Sequence, residues 1–216
     1  ISLLFGFDSA VAATDAIAAI FATPHEPHAA AILPANIAKK AGADLGQRFV
    51  VVIRLEGIEV SVNDRASHLL AGGFGIGEGE RLGATKSRDL WQKIRDVDLL
   101  AGCGEAIWKL SVAPSQAPAI LEVVVSRFDF DFYADWAGGL VWIAAPSGPV
   151  FGAALREALA AHGSGYAQMI IGATTDSDSV SPFQPLSPAH AALHRRVKAA
   201  FDPMGVLNYG RMHDGF

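Results

Sequence analysis

Along this chain, short stretches in which apolar and polar residues alternate take turns with stretches in which apolar residues recur every three or four positions. Ile1–Phe7 (ISLLFGF) is apolar almost throughout and predicts a core strand. Asp8 and Ser9 then offer N-cap oxygens to a helix over Ala10–Ala22, with Val11, Ile17, Ile20 and Phe21 along one face. Ala29–Leu33 reads as a short second strand. Arg48–Glu56 predicts a strand: Phe49, Val51, Ile53 and Leu55 share one side, and Val50, Val52 and Arg54 the other. Helices are expected from about Val60 to Leu70, and over Ser87–Val97 with Leu90, Trp91 and Ile94 inward. Glu105–Val112 returns as a strand that sets Ala106, Trp108, Leu110 and Val112 against Ile107, Lys109 and Ser111. Pro118–Ser126 is a helix with proline in its first turn.

Phe128–Trp136 (FDFDFYADW) has the clearest alternation, with Phe128, Phe130, Phe132, Ala134 and Trp136 on one side. Gly138–Gly139 turns it into Leu140–Ala145 as a hairpin. A helix over Val150–His162, a strand over Tyr166–Ala173 and a last helix opened by Ser187-Pro188 follow, the last with Leu193, Val197 and Phe201 inward. Ala71–Glu80 (AGGFGIGEGE) lacks a GxGxxG register and follows a helical pattern rather than a strand, so it reads as a surface loop and not as a phosphate cradle. No sequence repeat or linker divides the chain, which reads as a single unit over 1–216. The pattern predicts an α+β fold: an antiparallel sheet with helices packed on one face. The polar strand sides, carrying Arg54, Lys109, Ser111, Asp129, Asp131 and Asp135, would then face solvent or another domain.

Composition narrows the function classes. Of 216 residues, 51% are hydrophobic and 18% charged, enough for one sizeable core. The net charge is −5 and no run of Lys or Arg exceeds two residues, so nucleic acid is not an expected partner. Cys103 is the one cysteine, which excludes an internal disulfide and suits a reducing compartment. Ala137–Leu155 is uncharged and about long enough to span a bilayer, but Pro146-Ser147-Gly148-Pro149 in its middle reads as a strand–turn–helix join. Ile1 is not Met and opens directly on a strand pattern with no basic leader ahead of it, from which an upstream domain is expected.

Most candidate chemistry reduces to ordinary surface. His190 and His194 stand four apart, a spacing that can chelate, but Ala191, Ala192 and Leu193 leave no glutamate between them. His25 and His28 sit in a proline-containing turn without an acidic pair, and no bound metal is expected. There is no GxSxG, and Cys103 lies in a Gly-Cys-Gly turn with no base in sight. Asp129 and Asp131, roughly 7 Å apart along one strand, read as a solvated face.

The C-terminal run Phe201–Met212 (FDPMGVLNYGRM) is different, because it ends in amide and guanidinium donors held by turn residues. It resembles the Phe-Asp-Pro-x-Gly-x-Leu-Asn-Pro-Gly-Arg ending of FAD-linked oxidases of the vanillyl-alcohol-oxidase and p-cresol-methylhydroxylase type. Four further stretches are similar to the branch formed by the E-subunit of glycolate oxidase: RLEGIEVSV at Arg54–Val62, LWQKIRD at Leu90–Asp96, WKLSVAP at Trp108–Pro114 and ADWAGGLVWI at Ala134–Ile143.

The resemblance implies a ferredoxin-like C-terminal domain that closes over the isoalloxazine ring, with FAD held mainly by an N-terminal FAD-binding domain absent from this chain. Asn208, Gly210 and Arg211 would lie near the flavin, with Tyr209 in place of the family proline. Arg95 matches a substrate-carboxylate arginine of catalytic relatives, and Lys109 stands where the glycolate oxidase branch commonly has Arg. All five are expected to converge on the open side of the sheet. The histidine-rich, metal-binding run of the catalytic relatives is replaced here by DWAGGLVW, so metal-assisted oxidation is not implied and no catalytic residue is assigned. The implied activity is FAD-linked oxidation of glycolate or a related 2-hydroxy acid, the isolated chain being inactive. The alternative is a non-catalytic assembly module of a multi-subunit flavoprotein. Implied partners are the chain's own flavin domain, a catalytic flavin subunit and an iron–sulfur subunit. The implied location is cytoplasmic, or peripheral on the inner membrane through those partners.

Overall fold

Six consecutive buried residues make β1 (Ser2–Phe7) an interior strand, which needs neighbours on both edges and cover on both faces. The structure is a computed structural model that describes residues 1–162, 165–172 and 181–213. After β1 come α1 (Ala10–Phe21), β2 (Ala29–Pro34), α2 (Ala35–Ala41), β3 (Phe49–Arg54), α3 (Glu59–Ala71) and β4 (Ile76–Leu82). Then follow α4 (Ala84–Arg95), β5 (Ala106–Val112), α5 (Ala117–Val125), β6 (Asp131–Asp135), β7 (Leu140–Ala145), α6 (Pro149–His162), β8 (Gly165–Ile171) and α7 (Pro188–Phe201). The chain is α+β. One eight-stranded antiparallel sheet runs β4-β1-β3-β2-β6-β7-β5-β8.

That order contains a repetition that the residue pattern does not display. In the first half the strands lie 4-1-3-2; in the second, β8-β5-β7-β6 repeats the same arrangement, with α5 and α6 where the first half has α1 and α3. The short α2 is the one helix inside a half without a counterpart. The two halves meet edge to edge at β2 and β6, where Ile32 stands opposite Ala134.

Helices cover both faces, which corrects the expectation of one. On the first face Ile17 and Ile20 of α1, Val62 and Leu69 of α3, Ile120 of α5 and Leu155 of α6 join a core with Leu3, Phe5, Val51, Ile53 and Trp108. On the second, Ile37 of α2 and Leu90, Trp91 and Ile94 of α4 pack on Leu4, Leu33, Val50, Val52 and Tyr133. The reason is in the strands: β1, β2 and β3 are apolar on both sides, and neither side can be left to water. Beyond them, Ile107, Lys109 and Ser111 on the second side of β5 are half-buried or exposed.

Other expectations also shift. The glycine-rich stretch, expected to be a loop throughout, leaves its loop at 72–75 and continues as an edge strand, β4. Its glycines allow close approach: a Cβ on Gly79 would come within 2.8 Å of both Leu70 and Phe5. Val11 points outward, and Trp136 leaves the strand with a positive φ of 51° and stands exposed. Leu193, Val197 and Phe201 are exposed rather than inward, because α7 buries no residue against the sheet. The expected end of the last strand at Ala173 lies outside the described residues. The uncharged stretch from Ala137 divides into a turn, β7 and the start of α6, and among the described residues no helix is long and apolar enough to cross a membrane.

Polar links anchor α4. The Trp91 indole donates to Ser2 Oγ at 2.8 Å, Ser2 and Ser87 hydroxyls share a bond of 2.7 Å, and Tyr133 OH donates to Ile94 O at 2.6 Å. Burial pushes the Tyr133 phenol well above its ordinary pKa, so it stays a neutral donor. We predict that Tyr133→Phe lowers stability by about 1 kcal/mol, the net worth of one such bond. Tyr133→Ala should cost several times more through the cavity it leaves. Denaturant midpoints at constant m-value measure both; an unshifted midpoint in the Phe variant would show that the hydroxyl does not hold α4.

Candidate functional site

The C-terminal motif forms a small structure of its own. Ser187 caps α7, its Oγ accepting from the His190 amide at 3.3 Å, with Pro188 in the first turn. At the other end the nearly buried Asp202 folds the chain back. Its carboxylate accepts from Val206 N at 3.1 Å, from Leu207 N at 2.9 Å and from the Lys198 ammonium, while its carbonyl accepts from Gly205 N at 3.0 Å. Lys198 also donates to Leu207 O. The Lys198 hydrogen bond, followed by those from the amides, pulls the Asp202 pKa down to about 2.

This staple determines where the motif's last residues stand. Gly205, Asn208 and Gly210 all have positive φ, at 64°, 49° and 68°, and Arg211 N donates to Asn208 O at 3.1 Å. Asn208 borders a groove of about 500 Å³ walled by Leu193, Val197, Phe201, Leu207 and Met212. Phe201, at 85% exposed, shows how little of this apolar surface is covered. The His213 ring contacts Phe183 and His194, tying the unit to residues 181–184 beside β8. There Pro182 O accepts from Met169 N and Gln184 Oε1 from Ala167 N, both at 2.8 Å. Arg156 clips this segment from α6 through Ser181 O and Phe183 O.

A second group lies on the open side of the sheet. Tyr133, Trp142, Lys109 and Gln168 pair in one row across β6, β7, β5 and β8. The Lys109 ammonium stands 6.0 Å from the Trp142 ring centroid, at the limit of cation–π range. The Tyr133–Ile94 bond brings the end of α4 to this row, and Arg95 is the next residue. Its guanidinium is largely exposed and holds Asp96 through bonds of 2.7 and 2.9 Å, which lowers the Asp96 pKa. With strands about 4.8 Å apart, the Tyr133 and Lys109 columns are two strands apart, roughly 10 Å.

The five residues singled out in the sequence therefore fall into two groups. Arg95 and Lys109 share the second face. Asn208, Gly210 and Arg211 belong to the α7 unit beside β8, and the groove that Asn208 lines contains neither Arg95 nor Lys109. Among the described residues no hydrogen bond, ion pair or ring contact joins the groups.

The other candidates have local partners. Asp131 accepts from the Asn36 amide, and Asp135 accepts from Trp136 N at 2.8 Å. Partial burial raises the Asp135 pKa. His25 stacks on His68 at 5.4 Å, and His28 Nδ1 accepts from Glu56 N at 3.3 Å. No three His, Cys, Asp or Glu side chains gather as a metal ligand set among the described residues. Cys103 has a neighbour that its own turn does not reveal: Lys40 Nζ lies 3.4 Å from Sγ and 2.9 Å from Ala101 O. Three residues central to the site were not singled out in the sequence. The Lys198–Asp202 pair was visible as an i, i+4 spacing at a helix end, whereas Trp142 becomes the partner of Lys109 only through strand register.

Compared with protein-family models and with curated proteins, the sequence matches none of either.

The staple has a pH signature. An Asp ordinarily titrates near about 4, so a folded pKa of about 2 means that the carboxylate supports the turn fully above pH 4. That support is lost as the pH falls through 2. The Val206 and Leu207 amide resonances should hold their shifts down to about pH 4 and collapse towards random-coil values near pH 2. In Asp202→Asn they should be displaced already at pH 7. Flat shifts across the whole range would show that the carboxylate is not their acceptor.

Proposed function

We propose that this chain is the flavin-covering C-terminal domain of an FAD-linked 2-hydroxy-acid oxidoreductase, of the type represented by the E-subunit of glycolate oxidase. The observation that carries the reading is the stapled Asp202–Leu207 turn. It presents Asn208 at the rim of an uncovered apolar groove, with Gly210 and Arg211 following in the chain, in the one segment whose sequence resembles the family ending. Support comes from the strand order 4-1-3-2 in each half, with a helix after its first and third strands and α2 as an addition in the first half, a course compatible with the ferredoxin-like arrangement that the resemblance implies.

The donor set suits one wall of a flavin site. The Asn208 amide and the Arg211 guanidinium offer hydrogen bonds to an electron-rich ring edge, and the groove offers apolar contact. The glycine-rich stretch leads into strand β4 and not into a helix N-terminus, so it does not cradle a pyrophosphate. That task falls to an N-terminal FAD-binding domain. FAD, when bound, supplies the two-electron acceptor. The residues of this chain bind and orient: Lys109 and Arg95 attract the carboxylate of glycolate or a related 2-hydroxy acid, and Trp142 shields the Lys109 charge from water. Partners in this reading are the flavin domain, a catalytic flavin subunit and an iron–sulfur subunit, in the cytoplasm or at the inner membrane through them.

A second reading, a non-catalytic assembly module, draws on the same uncovered side of α7, which a partner protein would bury equally well.

Kinetics separate the two. In the protein carrying its flavin domain, Lys109→Ala and Arg95→Ala should each raise the KM for glycolate about tenfold, the worth of one charged contact. Asn208→Ala should lower kcat. The 216-residue chain alone should stay colourless when mixed with FAD and desalted. Unchanged kinetics in all three variants, with loss of subunit association in Phe201→Asp, would establish the assembly role instead. An upstream reading frame without an FAD-binding domain would end the flavoprotein reading altogether.

A further inference from the structure

A polar cavity lies at the far end of α4 from Arg95, roughly 18 Å away by helix rise. Register explains why it exists. Ser2 at the start of β1 pairs with Arg54 on one side and Leu82 on the other, so β3 and β4 finish at the same end of the sheet. From those ends α3 departs over the first face and α4 over the second. The gap between the two departing helices is a cavity of about 530 Å³, bordered by Arg54, Arg81, Arg88, Asn63, Gly83 and Glu56.

Three arginines from three separate elements border it, in a chain whose net charge is −5. Arg54 lies over the Trp91 ring at 5.9 Å and holds the Glu56 carboxylate at 2.5 Å. Arg81 donates to Asn63 Oδ1 at 2.5 Å, which aims its fork along the cavity wall. Arg88, one turn into α4, has no ion-pair partner among the described residues. Glu56 reveals the chemistry on offer, since one arginine already binds a carboxylate of the protein itself. Glu59 also borders the cavity, so its side chains set three cations against two anions.

We propose that this cavity is a binding site for a small multivalent oxyanion, a phosphate or a di- or tricarboxylate, held by Arg54, Arg81 and Arg88. The site goes beyond the flavin reading and does not depend on it. An oxyanion with two or more charges bridges Arg81 and Arg88 and competes with Glu56 for Arg54. Planar guanidinium forks suit both phosphate and carboxylate geometry.

The test is calorimetric titration of the 216-residue chain at low ionic strength with inorganic phosphate and, separately, malonate. One saturable site is expected, and the tighter of the two anions identifies the class. Arg81→Gln and Arg88→Gln should each weaken binding about tenfold, as for loss of one charge-assisted contact. Glu56→Gln should tighten it by releasing Arg54. Glu122→Gln, an equal change of charge on α5, is the control and should leave affinity unchanged. Residues added ahead of Ile1 should also leave it unchanged, because the three arginines come from β3, β4 and α4. Absence of a saturable site, an equal response to Glu56→Gln and Glu122→Gln, or loss of binding on N-terminal extension would each overturn the proposal.

Discussion

Everything in this fold rests on the seam between β2 and β6. Two four-stranded halves, each with its own helices, become one sheet there through a ladder so short that Ile32 and Ala134 are its registered pair. Backbone bonding that brief cannot hold two halves together, so side chains on both faces share the task. On the first face α1 packs beside α5, bringing the two sets of helices into a common core. On the second, α4 reaches across: Trp91 is bonded to Ser2 in β1, and the carbonyl of Ile94 receives the Tyr133 hydroxyl from β6. One helix thereby touches both halves. Asn36 adds a surface link to Asp131 over the same seam.

The need for α4 also explains which parts of the fold were legible in the sequence. The alternating strand Ala106–Val112 announced itself, and so did the apolar run Phe49–Arg54 and the hairpin from β6 to β7. In those elements the local pattern and the tertiary environment agree. β4 was not legible, because four of its seven residues are glycine or glutamate and its strand character comes from pairing with β1. Nor was the cover on the second face. Apolar residues on both sides of β1 showed that both sides would be buried, but which helices would do the burying depends on strand order. The repeated 4-1-3-2 course stayed hidden for the same reason, since topology can repeat where side chains do not.

At the candidate site, the division is between residue type and residue placement. Asn208, Gly210 and Arg211 stood out by their chemistry and by turn residues around them, and the structure gives two of them the left-handed backbone that such a turn requires. The carboxylate that organises the turn drew no attention, because its role is to accept from Val206 and Leu207 rather than to meet a ligand. Lys109 was visible as the lone cation on a strand face. Its pairing with Trp142 belongs to register between β5 and β7, a contact between residues 33 positions apart that no local pattern encodes. Placement failed most clearly for α7, whose periodicity reads as a core helix although none of its residues is buried.

The α7 unit shows how such a helix can stand without a core beneath it. Fourteen residues are near the lower limit for a helix in water, where nucleation is costly and tertiary packing normally supplies most of the stability. Here both ends are held locally. Ser187 and Pro188 organise the first turn, and the Lys198–Asp202 pair closes the last one while drawing the tail back over the helix. None of these contacts involves the sheet, so the helix and its folded tail keep their shape while Leu193, Val197 and Phe201 remain uncovered. Ordering entropy is then spent during folding and not at the moment of association, which leaves more of the apolar burial to act as binding free energy. The staple at Asp202 thereby fixes the shape of an apolar surface by contacts within the C-terminal segment alone.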